Sequence, residues 1–194
     1  MTDTVLRVGH RSERSEIYGP GVRAVIWVQG CSLACPGCWN KEFWPQRGGE
    51  KVEVQQMLEW LRLCKDIEGV TLLGGEPLQQ PEAVLGLIDG AKALGLSIFL
   101  YSGYSRHELN EIQLRCVENS DIVILGRYEE DKRDIGLRWR GSRNQVIEYI
   151  SPRYSAKDWG DDFQEIEVFI DENGIISAYG YPDEEFQQKI LDVL

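Results

Sequence analysis

No stretch of this chain is apolar for long enough to cross a bilayer. The longest runs, such as Ala24 to Val28, fall far short of the ~20 residues that a spanning helix needs. Met1 to Ser15 carries charges throughout and lacks the apolar centre of a secretory leader, so a cytoplasmic location without a membrane partner is expected. Positive charge is also scarce: 21 Lys and Arg stand against 32 Asp and Glu, a net charge of -11. Nonspecific binding to nucleic acid draws on clustered Lys and Arg, so no nucleic-acid partner is expected, and the acidity reads as a solvated surface. Histidine is reduced to two residues, His10 and His107, which limits any metal site to those imidazoles. Internal repeats and low-complexity tracts are missing. What remains, 42% apolar and 27% charged over 194 residues, describes one compact body with a single sizeable core.

Cysteine is where the sequence departs from the ordinary. Five cysteines are an odd count for a disulfide framework, and without an export signal metal or redox chemistry is the better expectation. Cys31, Cys35 and Cys38 fall within a single short loop. Cys64 continues the apolar pattern Met57, Leu58, Leu61, and Cys116 follows Leu109 and Ile112 at helical spacing, so both read as inert core thiols.

Short apolar runs alternate with longer amphipathic ones from Ala24 to about Asp121, a β/α rhythm. Strands are expected at Ala24 to Gln29, Gly69 to Leu73, Ser97 to Tyr101, Asp121 to Leu125 and Gln145 to Ile150, continuous in the manner of buried parallel strands. Val52 to Asp66, Pro81 to Leu94 and Arg106 to Glu118 repeat apolar residues every three or four positions, as helices on a sheet do. Right-handed crossovers would gather the loops at the strands' C-terminal ends on one rim, where function should sit. Residues 1–150 form this body. Ser151 to Leu194 reads as an extension rather than a separate domain: a polar linker to Asp162, a β-hairpin from Gln164 to Tyr179 turning at Asp171-Glu172-Asn173-Gly174, and a short helix from Pro182.

The three clustered thiols follow the first expected strand directly, with three and then two residues between them. Thiolates are soft anionic ligands that iron-sulfur clusters and zinc both select. On a cluster of four irons, three thiolates leave one iron open to a small-molecule chelate. The alternative is a zinc site completed by a histidine, in an interaction module without catalysis. The second expected strand runs into Gly74-Gly75-Glu76-Pro77, where two missing side chains would let a ligand approach the backbone. This turn falls on the same rim as the cysteines.

Together, Cys-x3-Cys-x2-Cys after the first strand and Gly-Gly-Glu-Pro after the second resemble the radical S-adenosylmethionine (SAM) superfamily. Gly19-Pro20-Gly21-Val22-Arg23, Cys35 to Lys41, Tyr101-Ser102-Gly103-Tyr104 and Leu137 to Gln145 narrow the likeness to the glycyl-radical-enzyme activases, in particular those serving anaerobic ribonucleotide reductase. The resemblance implies an α/β fold, a partial (open) β/α barrel with the hairpin and short helix appended. It implies a 4Fe-4S cluster on Cys31, Cys35 and Cys38, and SAM cleaved reductively to a 5'-deoxyadenosyl radical that takes hydrogen from a glycine of a protein partner. A flavodoxin or ferredoxin type donor would supply the electron. SAM contacts are implied at Gly74, Gly75, Glu76, Pro77, Ser102, Gly126 and Trp39, with no catalytic residue beyond the cluster ligands. Arg138 to Ser142 is expected to be a surface loop meeting the partner, and Asn144 and Gln145 to bond either SAM or backbone. The same cleavage directed at a small molecule or a peptide is the alternative.

Overall fold

The structure, a computed structural model, describes residues 4–159, 165–170 and 173–180. Seven strands form one sheet in the order β3-β1-β2-β4-β5-β6-β7. These are β1 Val5–Ser15, β2 Arg23–Val28, β3 Glu50–Glu53, β4 Gly69–Gly74, β5 Ser97–Ser102, β6 Ile122–Leu125 and β7 Val146–Tyr149. The four central strands, β2, β4, β5 and β6, run parallel, in register from Arg23 beside Gly69 to Val28 beside Gly74. Both faces of these strands are buried, so their residues alternate between two cores rather than between core and water.

On one face lie α1 Val54–Leu63, α2 Pro81–Ala93 and α3 Glu111–Glu118. Ala24, Ile26 and Val28 of β2 point to this side and join Met57, Leu61, Val84 and Ile88 in the main core. The buried thiols of Cys64 and Cys116 belong to that core, each donating to a backbone carbonyl, of Trp60 and Pro81. The opposite face is aromatic and carries no α-helix among the described residues. There Val25, Trp27 and Leu73 meet Tyr18, Tyr101 and Tyr179, and Phe99, Ile122 and Ile124 meet Trp139 and Tyr154. Arg23 closes its foot, fully buried, with its guanidinium donating to Thr71 and Ser97 hydroxyls and to the carbonyls of Pro20, Val70 and Ser97.

Four elements differ from the sequence expectation. The helix expected from Arg106 begins at Glu111, where the Asn110 side chain caps it, after a separate 3-10 turn at Arg106–Glu108. Val5–Ser15 is a strand that its polar second half, His-Arg-Ser-Glu-Arg-Ser, conceals: only Leu6, Val8 and Ser15 are buried, as suits a strand near the sheet edge. The helix expected from Val52 begins at Val54, because Glu50–Glu53 pairs with Val5 to Val8 and Val52 is drawn into the core. β7 is antiparallel to β6, not another parallel strand. A parallel neighbour needs a crossover, usually a helix, but residues 126–145 return to their starting point. The Gln145 amide donates to the Gly126 carbonyl there, so β7 can only run back along β6.

Beyond β7, the strands β8 Ile166–Ile170 and β9 Ile176–Gly180 pair antiparallel as a separate two-stranded sheet. Residues 160–162 of the expected linker, Gln164 at the start of the expected hairpin, Asp171 and Glu172 of its turn, and the helix expected from Pro182 lie outside the described residues. No helix among the described residues is long and apolar enough to cross a membrane.

Candidate iron-sulfur and SAM site

Parallel strands place their following loops on one side, and here the loops after β2, β4, β5 and β6 surround a cavity of about 240 Å³. The first loop leaves β2 through Gly30, whose φ of +105° lies in the left-handed region, and turns again at Ala34 (φ +47°) and Gly37 (φ +71°). Such reversals fold the cysteine segment onto itself: the Cys38 amide donates to the Cys35 carbonyl and the Cys31 amide to that of Trp44. Gln29 holds the returning chain, donating to the carbonyls of Glu42 and Pro45. Cys31, Cys35, Cys38 and Trp39 all line the cavity.

Gly74 and Gly75 line it too, but the structure gives their missing side chains a different reason from ligand approach. A Cβ on Gly75 would stand 2.4 Å from the Gly30 carbonyl oxygen, and one on Gly74 would stand 2.7 Å from the Trp27 Cα. The pair therefore lets the end of β4 press against the base of the cysteine loop, a contact sealed by the Gly75 amide on Val28 and the Glu76 amide on Gly30. Pro77 is buried at the head of a short 3-10 turn and does not line the cavity.

Glu76 is almost wholly buried. Its carboxylate accepts from the Leu78 amide (2.9 Å), the Ser102 hydroxyl (2.9 Å) and the Gly103 amide (2.8 Å), tying the loop after β4 to the loop after β5. Burial pushes its pKa up to about 7 against the opposing pull of these three donors. Ser102 lines the cavity while its hydroxyl donates to Glu76 and accepts from the Tyr104 amide. Gly126, left-handed at φ +113°, also lines it, its amide shared between the Ser102 and Tyr104 carbonyls.

The loop after β6 contributes more than the sequence indicated. Arg138, Trp139, Arg140 and Gly141 line the cavity, and Ser142 is fully buried. Trp139 stands at φ +59°, an uncommon conformation for a bulky residue, and packs edge-on against Phe99 on the aromatic face. Gln145 is committed to backbone, bonding the amides of Gly141 and Ser142 and the carbonyl of Gly126, whereas Asn144 donates to the Arg127 carbonyl and keeps its buried side-chain oxygen without a protein partner. Applying the rim argument to the strand before this loop, β6, would have placed these residues at the site. Tyr18 and Tyr101 complete the inner wall; burial raises Tyr18 to about 12 and Tyr101 well above the usual phenol value, so both stay neutral.

Three thiols form the soft donor set of the cavity, the kind that iron-sulfur clusters select. All five cysteines are free, and the clustered three are half-buried around a shared space. Burial pushes the Cys31 and Cys35 thiols up, with Glu76 and the neighbouring sulfurs adding to the effect; a cationic cluster reverses that penalty. Backbone amides of Leu33 and Ala34 are directed at the Cys31 sulfur and that of Tyr128 at Cys35, the donors a ligated thiolate accepts. Among the described residues no three His, Cys, Asp or Glu side chains converge closely enough for one ion. His10 instead packs against Trp27 and meets the Tyr179 hydroxyl at 3.0 Å, and His107 is exposed in a short turn.

Comparison with known proteins agrees with this chemistry. Residues 17–148 match the family described as a 4Fe-4S single cluster domain, which defines the class. Within it, the anaerobic ribonucleoside-triphosphate reductase-activating protein of Escherichia coli K12 is 34% identical over 142 residues, covering 69% of this chain and 92% of its own. The protein of that name from Salmonella typhimurium is 32% identical with the same coverage, and that of phage T4 is 36% identical over 68% of this chain and 86% of its own. The chain belongs to the family of anaerobic ribonucleoside-triphosphate reductase-activating proteins. A solved structure, QueE from Escherichia coli, overlaps 60% of this chain and 68% of its own at a TM-score of 0.44 and 16% identity, too little to carry an argument.

Proposed function

We propose that this chain is a radical SAM activase that installs a glycyl radical on an anaerobic ribonucleotide reductase. The observation that carries this reading is that Cys31, Cys35 and Cys38 share one cavity with the Gly74 to Glu76 turn. The seven-stranded sheet is read as the open β/α barrel of this superfamily, with the aromatic face as its interior. The 4Fe-4S cluster supplies, when bound, one electron and an open iron for the amine and carboxylate of SAM. One electron and SAM yield methionine and the 5'-deoxyadenosyl radical; that radical and a glycine Cα–H yield 5'-deoxyadenosine and the glycyl radical.

The chain's own residues set the stage for this exchange. The Cys31, Cys35 and Cys38 thiolates would hold such a cluster through three of its irons, and its remaining iron would take SAM. The Gly74 and Gly75 carbonyls, at the wall beside the thiols, are the acceptors assigned to the SAM ammonium. Glu76 holds this turn to the Ser102 and Gly103 loop, so that the methionine and adenosine ends of SAM meet walls fixed relative to each other. Trp39, Ser102 and Gly126 are the remaining assigned SAM contacts. Neutral Tyr18 and Tyr101 and the apolar Leu73 form an uncharged part of the wall, apart from the charged side chains of Arg138, Arg140 and Glu165 that also line the cavity. Electrons come from a flavodoxin or ferredoxin type donor.

Anaerobic incubation of iron-loaded protein with SAM and dithionite tests the reading. 5'-Deoxyadenosine should form, and with the reductase present a glycyl signal should appear by electron paramagnetic resonance. Iron-loaded protein that yields no 5'-deoxyadenosine contradicts the proposal.

A further inference from the structure

The residues that follow the family-matched region 17–148 reach the reaction cavity. Glu165, just before β8, and Gly180, at the end of β9, line it together with Ile17, Tyr18 and the three clustered thiols. This segment is fastened to the body at several places. The Glu167 carboxylate accepts from the buried Ser15 hydroxyl and from the Glu16 amide, both at 2.6 Å. Tyr179 stacks on Trp27 and meets His10, and the Gly180 amide donates to the Tyr18 hydroxyl. Nearer β7, the Tyr154 hydroxyl donates to Ser97 and Trp159 packs edge-on against Trp139. Gly180 permits the close fit: its φ is +107°, and a Cβ there would stand 2.7 Å from the Glu165 carbonyl oxygen and 3.2 Å from Ile17.

The chemistry and the added wall therefore come from different parts of the chain. Thiols, glycine turn and the Arg138 to Gly141 loop lie within the shared region, whereas Glu165 and Gly180 lie outside it. An element that borders a cavity without bearing its reactive groups changes what fits there rather than the reaction performed. We infer that residues 149–159, 165–170 and 173–180 form a second wall of the reaction cavity and determine its specificity, restricting which hydrogen donor reaches it to the glycine-bearing segment of the protein partner. This rests on the activase reading for the identity of the substrate, but not for the existence of the wall.

Two measurements on the full-length protein test it, with Glu167→Ala and Tyr179→Leu combined to release the wall without touching its cavity lining. The first is coupling: glycyl spins formed on anaerobic ribonucleoside-triphosphate reductase for each 5'-deoxyadenosine. Iron content and 5'-deoxyadenosine formed without the reductase should stay within about twofold of the unsubstituted protein, while coupling falls about fivefold or more. Val168→Ser, on an exposed position of β8, should change neither. The second is the rate at which a bulky maleimide alkylates Cys31, Cys35 and Cys38 in the chain before cluster insertion, with buried Cys64 and Cys116 as the slow internal standard. Release of the wall should raise that rate several-fold, in proportion to local opening. Either quantity left unchanged overturns the inference. If the double variant does not fold, Glu167→Gln, which weakens only the Ser15 and Glu16 bonds, is read by the same two criteria. Should the unsubstituted protein make no 5'-deoxyadenosine, the activase reading fails while the alkylation rate still decides whether the wall exists.

Discussion

Glu76 is the residue at which the structure makes its sharpest energetic prediction. Its carboxyl is buried and its pKa rises from the ordinary 4.5 to about 7, with loss of hydration outweighing three donors. The folded chain therefore holds a proton between these values that the unfolded chain has released. Stability conferred by the protonated form is complete below the unfolded value, declines as pH rises from about 4.5 to 7, and is absent above. At about 1.4 kcal/mol for each pH unit, this one group should remove about 3 kcal/mol over that window. Glu76→Gln removes the titration and places an amide donor against the Gly103 amide, which lies 2.8 Å from the carboxylate. Losing that bond and opposing two donors should cost about 2 kcal/mol at low pH. With no charge left to bury, the variant should then draw level with the natural chain, or pass it, near pH 8. Urea unfolding of the metal-free chain at pH 5, 6, 7 and 8 measures both curves. Parallel curves between pH 5 and 7 would refute the reasoning, for they would mean that the three donors hold Glu76 ionised despite its burial.

Other substitutions separate the site from its scaffold. Replacing any one of Cys31, Cys35 or Cys38 with Ala should abolish stable cluster loading, read as iron per chain and visible absorption, whereas Cys64→Ala should retain the cluster and cost about 1 to 3 kcal/mol of stability as a small core cavity. Gly75→Ala should drive the β4 turn off the Gly30 carbonyl and weaken binding of a SAM analogue at least about tenfold by calorimetry, because the obstacle is backbone that cannot swing aside. Arg23→Met should destabilise the fold by about 3 kcal/mol in urea, since the acceptors on Thr71, Val70 and Ser97 would be left buried without their donor.

Much of this protein was legible in the order of its residues. Continuous apolar runs as short as Ala24 to Val28 suit strands buried on both faces, and an intervening helix carries the chain across to a parallel neighbour. From those two facts the rim follows, and with it the meeting of the Cys31 to Cys38 loop with the turn at Gly74. The cysteine spacing also carried its chemistry openly, because few side chains other than thiolates ligate iron-sulfur clusters.

Tertiary contact decided the rest. Glu50–Glu53 is a strand because Val5 to Val8 lies beside it, a pairing between distant segments that helical periodicity cannot register. β7 runs backward because the loop before it closes through Gln145 onto Gly126. That same closure turns Arg138 to Gly141 inward, converting an expected surface loop into cavity wall. The glycine pair was visible in the sequence, but its purpose was not: which atom a missing Cβ would strike depends on a neighbouring loop's carbonyl, and only the folded chain puts Gly30 there.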